Sequence, residues 1–172
     1  MTVYRPGEDT YLLASVIEHK DLKDLDCLEI GTGSGFIAEK MLENGAQKVT
    51  AVDINPEAVE KASERLSGHE SAEVFRSDMF QNVEEKYDII VFNPPYLPSE
   101  ASRIGDEEIW AGGEKGVEAS EKFVEEAEDY LKEGGEAFFV ASSLSELEVF
   151  DDLEVVDSRK LWFEELFVFK FK

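Results

Sequence analysis

The nine residues Cys27–Gly35, which read CLEIGTGSG, decide the fold of this 172-residue chain. The first four are typical of a short buried strand, and three glycines then stand at every second position before a predicted helix, Phe36–Asn44. Glycine is needed where a backbone turns sharply or approaches a ligand closely, because a Cβ atom would clash or forbid the dihedral angles. A strand, a glycine turn and a helix in this order indicate the beginning of a parallel α/β sheet.

Outward from this segment, strand and helix patterns alternate between Asp26 and Ser142, which predicts right-handed crossovers. The predicted strands are Cys27–Ile30, Val49–Ile54, Ala72–Arg76, Tyr87–Phe92, Glu136–Ser142, Leu153–Lys160 and Glu164–Phe171. The last two have no long helix between them and are expected to pair antiparallel. We therefore expect one domain over residues 1–172, a three-layer Rossmann-like α/β fold with a mostly parallel seven-stranded sheet and an antiparallel C-terminal strand.

Three local predictions accompany this fold. A sheet wound in the order 3-2-1-4-5 leaves the strand Ala72–Arg76 at one edge. A helix over Val117–Lys132 is expected to stop at Gly134 and Gly135. The apolar run Leu161–Phe163 is expected to be part of the sheet core.

The acidic residues near the glycine turn indicate its ligand. Asp53 lies about 20 residues beyond the turn, where one carboxylate would bind both hydroxyls of a ribose in a dinucleotide or in S-adenosylmethionine. The dinucleotide pattern requires glycine at its sixth position, which is Phe36 here, and Glu29 would repel a pyrophosphate but not a cationic methionine moiety. The turn therefore favours the sulfonium cofactor. Asp78, after the third strand, could accept a hydrogen bond from an adenine amino group, or it could simply cap a loop or helix.

The tetrad Asn93-Pro94-Pro95-Tyr96 directly follows the fourth predicted strand. The two prolines fix φ and keep the preceding residues extended, so the segment is stiff at the ligand-binding edge of the sheet. Oδ1 of Asn93 and the carbonyl of Pro94 could accept the two N–H bonds of a planar amino group, with Tyr96 stacked on it. Methyl transfer to that nitrogen would rest on alignment and charge stabilisation without a general base. The alternative is a proline-stiffened turn with no catalytic role.

Composition restricts the function further. The chain has 17 Lys and Arg against 40 Asp and Glu, and the formal net charge of −23 disfavours binding to a phosphate backbone. This charge would suit either a salt-rich cytoplasm or an ordinary acidic protein. One cysteine and two histidines cannot build a zinc cage. The apolar stretches are too short for a membrane span and no signal-peptide pattern is present, so we expect a cytoplasmic protein without membrane contact.

Taken together, the tetrad and the segment Glu29–Gly35 resemble class I S-adenosylmethionine-dependent methyltransferases that act on a planar amino group. The segments Val3–Thr10 and Trp110–Gly113 resemble the HemK-like branch, which methylates the glutamine side chain of class I translation release factors. The likeness covers almost the whole chain. It is greatest to the short archaeal and eukaryotic form, because only about 26 residues precede the first strand, too few for the extra helical domain of the bacterial form.

The resemblance implies roles for particular residues. The cofactor contacts would be Thr10, Glu29, Gly31, Gly33, Asp53, Asp78 and Asn93. The catalytic residues would be Asn93, Pro94 and Tyr96, and these would also bind the substrate amide, with Trp110 in a loop near the entrance or only a hydrophobic pin under that loop. The resemblance also implies a release factor as substrate and a small zinc-binding activator subunit that pairs along Ala72–Arg76.

Three other functions remain open on the sequence. The same tetrad could present the amino group of adenine or guanine in nucleic acid, although a minimal domain with this negative charge lacks the basic surface such enzymes use. Protein lysine methylation is another, but an ammonium group would first have to lose a proton. A cofactor-binding module without catalysis is the third, and the intact Asn93 and Asp53 disfavour it.

Overall fold

The computed structural model of the protein describes residues 3–96 and 117–172. Its centre is a seven-stranded sheet in the order β3-β2-β1-β4-β5-β7-β6. The strands are β1 (Asp26–Ile30), β2 (Lys48–Asp53), β3 (Ala72–Arg76), β4 (Tyr87–Phe92), β5 (Leu131–Ser142), β6 (Glu154–Lys160) and β7 (Glu165–Phe171). Pairs among β1 to β5 are parallel, whereas β7 runs antiparallel to both β5 and β6. The predicted sheet, its edge strand β3 and the antiparallel C-terminal strand are confirmed.

Helices cover both faces of the sheet. They are α1 (Glu8–Glu18), α2 (Phe36–Glu43), α3 (Pro56–Leu66) and α4 (Glu118–Ala127), with short 3₁₀ turns at Glu128–Tyr130 and Leu147–Phe150. Side chains alternate between the two faces of each strand, so Val91 of β4 packs in the core shared with α1 and α2, whereas Phe92 packs in the core shared with α4. The three-layer architecture follows from these two cores. None of the helices in the described ranges is long and apolar enough to span a bilayer.

The predicted end of the fourth helix is wrong. The α-helix ends at Ala127, and Gly134 and Gly135 lie inside β5, which begins at Leu131 rather than at Glu136. The strand needs both glycines because its pairing with β4 is irregular there: Gly134 has a φ of 79°, and a Cβ on Gly135 would come within 3.0 Å of the Tyr87 carbonyl oxygen. A double glycine that suggests a helix stop is thus a β-bulge.

The prediction that Leu161–Phe163 forms sheet core is right for Leu161, which packs against the core, and wrong for Trp162 and Phe163. Trp162 is 99% exposed and Phe163 is 69% exposed. They are the two central residues of the turn that joins β6 to β7, which is closed by a hydrogen bond of 2.8 Å from the Leu161 amide to the Glu164 carbonyl. The side chains therefore lie beyond the last paired residues of the sheet and cannot reach its core.

Candidate active site

The glycine turn joins β1 to α2 in a conformation that L-residues rarely adopt. Gly31, Gly33 and Gly35 have φ values of 64°, 54° and 77°. A Cβ on Gly35 would lie 3.1 Å from Cα of Ala62, so this glycine allows α3 to pack closely against the turn. Among the described residues, a Cβ on Gly33 would be in ordinary contact with the Tyr4 backbone oxygen at 3.8 Å, so its positive φ rather than a lack of space requires glycine there. The turn therefore needs its glycines for their backbone angles and, at Gly35, also for close packing.

Asp53 at the end of β2 lies directly beside this turn. Its Oδ2 accepts a hydrogen bond from the Gly33 amide at 2.9 Å, and its Oδ1 accepts one from the Asn55 amide at 2.9 Å. Each oxygen of a carboxylate can accept a second hydrogen bond, and the Asp53 side chain is only half-buried. The structure thus brings this carboxylate beside the turn with lone pairs left over, and its contact with a ribose stays a prediction.

Glu29 supports the turn from within. It is buried, and its Oε2 accepts hydrogen bonds from Oγ1 of Thr32 at 2.6 Å and from the Ala38 amide at 2.9 Å. Burial raises the pKa of Glu29 to about 8, although the bonds from Thr32 and Ala38 oppose the shift. The structure assigns Glu29 to bracing the turn; its predicted contact with the methionine moiety stays a prediction.

Asp78 lies two residues after β3, at the same edge of the sheet as Asp53. It is half-buried, and its Oδ1 lies 3.9 Å from Nζ of Lys122. β3 is the neighbour of β2 in the sheet, and its last residue, Arg76, pairs with Asp53. Asp78, two residues further on, therefore lies beside Asp53 along the carboxyl edge. This placement is compatible with contacts to two parts of one nucleoside.

The amide nitrogen of Asn93 is hydrogen-bonded within the protein, whereas its amide oxygen has no partner among the described residues. Its Nδ2 donates to Oδ2 of Asp9 at 3.1 Å and to Oγ1 of Thr10 at 3.3 Å. Its Oδ1 is buried and has no hydrogen-bond partner within residues 3–96 and 117–172. A buried acceptor without a donor is costly, so the free Oδ1 is the feature of this edge that most directly calls for a ligand.

Asp9 is the residue that the sequence analysis missed. This side chain, only 4% exposed, accepts hydrogen bonds from the hydroxyls of Tyr4 at 3.0 Å and Tyr96 at 3.2 Å, in addition to Nδ2 of Asn93. A signal was available: Asp9 lies three and four positions before the buried Leu12 and Leu13, on the apolar face of α1. A carboxylate in register with an apolar stripe indicates a buried polar partner.

The two tyrosines remain protonated in this arrangement. Partial desolvation, followed by the nearby charge of Asp9, raises the pKa of both Tyr4, which is half exposed, and Tyr96. Each hydroxyl therefore serves as a hydrogen-bond donor to Asp9 and not as a base. Pro94 between Asn93 and Tyr96 is buried, which fixes the backbone of the tetrad.

The predicted site residues that the structure describes thus gather at one edge of the sheet. The glycine turn, Asp53, Asp78 and Asn93 follow the carboxyl ends of β1, β2, β3 and β4, which are neighbours in the sheet. Thr10 reaches the site as a partner of Asn93. Trp110 and the rest of the segment Trp110–Gly113 lie outside the described residues.

This fold, with these functional groups at the carboxyl edge of its sheet, defines a class I S-adenosylmethionine-dependent methyltransferase. The residues fit that cofactor, because the glycine turn lies next to the Asp53 carboxylate with its spare lone pairs, and the buried Oδ1 of Asn93 has no partner among the described residues. When bound, S-adenosylmethionine supplies an electrophilic methyl group on a sulfonium.

Comparison with known proteins gives the family. Residues 6–160 match the family described as Methyltransferase small domain, and the chain belongs to it. The chain is 41% identical to a candidate protein N5-glutamine methyltransferase of Methanocaldococcus jannaschii, with 96% of this chain and 89% of that protein covered. It is 36% identical to a release factor glutamine methyltransferase of Streptococcus pneumoniae, over 77% of this chain and 52% of that protein.

A solved structure agrees with these relatives. One chain of the E. cuniculi Mtq2–Trm112 complex, described as responsible for methylation of the eRF1 translation termination factor, superimposes with a TM-score of 0.75 at 27% identity. The match covers 99% of this chain and 98% of that chain. Both the fold and the family predicted from the sequence are confirmed.

Proposed function

We propose that this enzyme transfers the methyl group of S-adenosylmethionine to the side-chain amide nitrogen of a glutamine in a class I release factor. The observation that carries the proposal is the buried, unpartnered Oδ1 of Asn93, whose own amide nitrogen is already bound to Asp9. A primary amide has two N–H donors. Oδ1 of Asn93 would accept one of them, and the carbonyl of Pro94 would accept the other.

These two hydrogen bonds would orient the attacking nitrogen. With both N–H bonds held in one plane, the nitrogen lone pair is directed along the perpendicular, and Tyr96 would stack on the amide plane. Alignment of this kind supplies a large share of the rate enhancement in group transfer. As positive charge develops on the nitrogen, the two carbonyl dipoles stabilise it and its proton becomes acidic enough to leave to water.

The site also supports this substrate over an ammonium. Tyr4 and Tyr96 both stay protonated and donate to Asp9, so neither would deprotonate a lysine before transfer. An amide nitrogen carries no such proton to remove beforehand. A nucleic-acid base would present the same planar amino group, but the net charge of −23 opposes its phosphate backbone.

The acceptor protein is proposed from the relatives. The Streptococcus pneumoniae relative is named for release factor glutamine methylation, and the E. cuniculi complex is described as acting on eRF1. A substrate of this kind places the enzyme in the cytoplasm, where translation terminates.

The test is a methyl-transfer assay with labelled S-adenosylmethionine on three acceptors. These are the purified release factor, the same factor with the glutamine of its Gly-Gly-Gln loop replaced by Ala, and a duplex oligonucleotide. Label on the first alone, located by mass spectrometry on the glutamine amide, supports the proposal. Label on a lysine or on the oligonucleotide contradicts it in favour of the corresponding alternative.

We also propose a small zinc-binding activator subunit along β3. The E. cuniculi relative is a two-protein complex. Among the described residues, β3 pairs on one side only, with β2, and Val74 and Phe75 are half-buried. An added strand would satisfy the free backbone groups and cover apolar surface. No metal-binding cluster of three His, Cys, Asp or Glu occurs in the described ranges, so the zinc would belong to the partner.

Co-expression with the activator tests this pairing. Phe75→Asp is expected to abolish co-purification, whereas Val155→Asp, on the opposite edge strand, is expected to retain it, and elemental analysis should find zinc only in the complex. A soluble monomer with full activity and no bound companion would contradict the proposal.

A further inference from the structure

The turn between β6 and β7 exposes two large aromatic side chains. Trp162 is 99% exposed and Phe163 is 69% exposed, the two highest values among the large exposed hydrophobic residues of the described chain. Tryptophan is strongly buried on average in folded proteins. Aromatic residues are also enriched at protein interfaces. We call Trp162 and Phe163 the aromatic tip.

The aromatic tip lies at the same edge of the sheet as Asn93. Leu166 of β7 pairs with Ser142 at the carboxyl end of β5, and β6 runs parallel to β5, so the turn is at the carboxyl edge. In the sheet order, β7 is two strands from β4 and β6 is three. At about 4.8 Å per strand, the aromatic tip is displaced sideways from Asn93 by roughly 10–15 Å. Because Phe92 pairs with Phe139 while the hairpin extends past Ser142, the tip also lies about 15 Å further along the strand direction.

Hydrogen bonds hold the turn in place relative to the tetrad. Oε2 of Glu164 accepts from Oγ of Ser142 at 2.5 Å, and the Glu165 carbonyl accepts from the Ser143 amide at 2.8 Å. The turn that follows β5 is hydrogen-bonded to the tetrad itself, because Oγ of Ser145 donates to the Tyr96 carbonyl at 2.5 Å. The aromatic tip is thus presented at a set position beside the substrate site.

We propose that the aromatic tip is a docking surface for the folded domain of the acceptor protein, an inference that rests on the proposed function. A specific protein interface covers about 800 Å² on each partner, which corresponds to a disc of roughly 16 Å radius. Asn93 and the aromatic tip are roughly 20 Å apart, so one footprint of this size, about 32 Å across, can include both. A folded acceptor that inserts a glutamine loop at Asn93 can therefore contact Trp162 and Phe163 at the same time.

The chemistry of the acceptor follows from this surface. It carries an apolar depression that receives Trp162, and a positively charged surround complementary to a chain with a net charge of −23. A short glutamine peptide would fill the site at Asn93 but would not extend to the aromatic tip. Protein and peptide acceptors should therefore respond differently to changes at the tip.

The experiment compares the double variant Trp162→Ser/Phe163→Ser with Val155→Ser as a matched control. Val155 is 48% exposed and lies at the opposite end of the same hairpin. Each enzyme, together with its activator if wild-type activity requires one, is assayed on the full-length release factor and on a short Gly-Gly-Gln peptide. Loss of an aromatic contact of hot-spot size predicts a KM for the release factor raised by about 30-fold or more. The peptide KM, the cofactor affinity and the unfolding midpoint should not change.

Three outcomes overturn the inference, and they are distinguishable from one another. An unchanged KM for the release factor, or an equal rise for the peptide, removes the docking role and leaves the proposed function intact. A wild-type dimer in sedimentation that the double variant converts to monomer shows that a second copy of this chain covers the tip. A wild-type enzyme that methylates neither acceptor overturns the proposed function, and the inference with it.

Discussion

The carboxylate of Asp9 accepts a hydrogen bond of 3.1 Å from Nδ2 of Asn93, and this contact decides which atom of the Asn93 amide faces the substrate. A carboxylate oxygen accepts and cannot donate, so Nδ2 must be directed to Asp9 and Oδ1 away from it. Tyr4 and Tyr96 donate to the same carboxylate and hold it in position. Asp9 is therefore a positioning residue, acting on the substrate through Asn93.

Asp9→Asn should impair transfer without affecting the cofactor. An asparagine at this position can present either an oxygen or an NH2 group, so the Asn93 amide is free to reverse. Loss of the charge-assisted bond, about 1.5–3 kcal/mol, predicts a kcat/KM lower by roughly 10- to 100-fold. S-adenosylmethionine affinity, measured by calorimetry, should stay at the wild-type value. Glu8→Gln, at the adjacent exposed position, is the control and should be active.

Asn93→Ala should remove most of the turnover. The substitution deletes the oriented acceptor at Oδ1, and loss of one such group costs on the order of 10²–10³ in rate. Cofactor affinity should change by a few-fold at most, because the glycine turn and Asp53 dominate that binding. Single-turnover rates and calorimetry on the same preparation separate the two effects. A parallel loss of cofactor binding would contradict the assigned role.

Asp53→Asn should weaken the binding of S-adenosylmethionine. The variant keeps the size of the side chain but replaces a charge-assisted hydrogen bond to a ribose, worth about 1.5–3 kcal/mol, with a neutral one. Calorimetry is expected to show an affinity roughly 10- to 100-fold lower. Asp21→Asn, in an exposed loop after α1, controls for the change in net charge. Equal affinities for wild type and Asp53→Asn would show that Asp53 does not face the ribose.

Glu29→Gln should remove a pH dependence from the stability of the fold. Burial raises the pKa of Glu29 from 4.5 to about 8, so between these values the folded state holds a proton that the unfolded state has lost. Stability from this group is therefore complete below about pH 4.5 and decreases as pH rises towards 8. Glutamine keeps an oxygen acceptor for Thr32 and Ala38 but does not titrate.

Urea titrations at pH 5 and pH 8 measure this effect. The unfolding free energy of the wild type, relative to Glu29→Gln, should fall between the two pH values by more than about 1.4 kcal/mol, the equivalent of one pKa unit. Because all other titrating groups are shared, their contributions cancel in the difference. Parallel pH profiles for the two proteins would show that the carboxyl is not buried as described.

The sequence by itself determined the order of the strands and the identity of the edge. Local signals sufficed here: buried strands read as short apolar runs, and each functional group follows one of them directly, as Asp53 follows β2 and Asn93 follows β4. Since parallel strands end at a common edge, chain order alone brings these residues together. Local signals failed at Gly134 and Gly135, because a double glycine is equally compatible with a helix stop and with a bulge.

Only the tertiary structure decided which polar atoms are satisfied and which are left for a ligand. Asp9 and Asn93 are 84 residues apart in the chain. No local pattern reveals that Asp9 accepts the hydrogen bond of Nδ2 of Asn93, or that Oδ1 of Asn93 is left without a partner among the described residues. The exposure of Trp162 was likewise decided by the tertiary structure. An apolar run between two strands resembles core by its composition, but the turn closed by the bond between Leu161 and Glu164 places Trp162 and Phe163 beyond the paired sheet. Burial depends on the packing of distant segments, which composition does not encode.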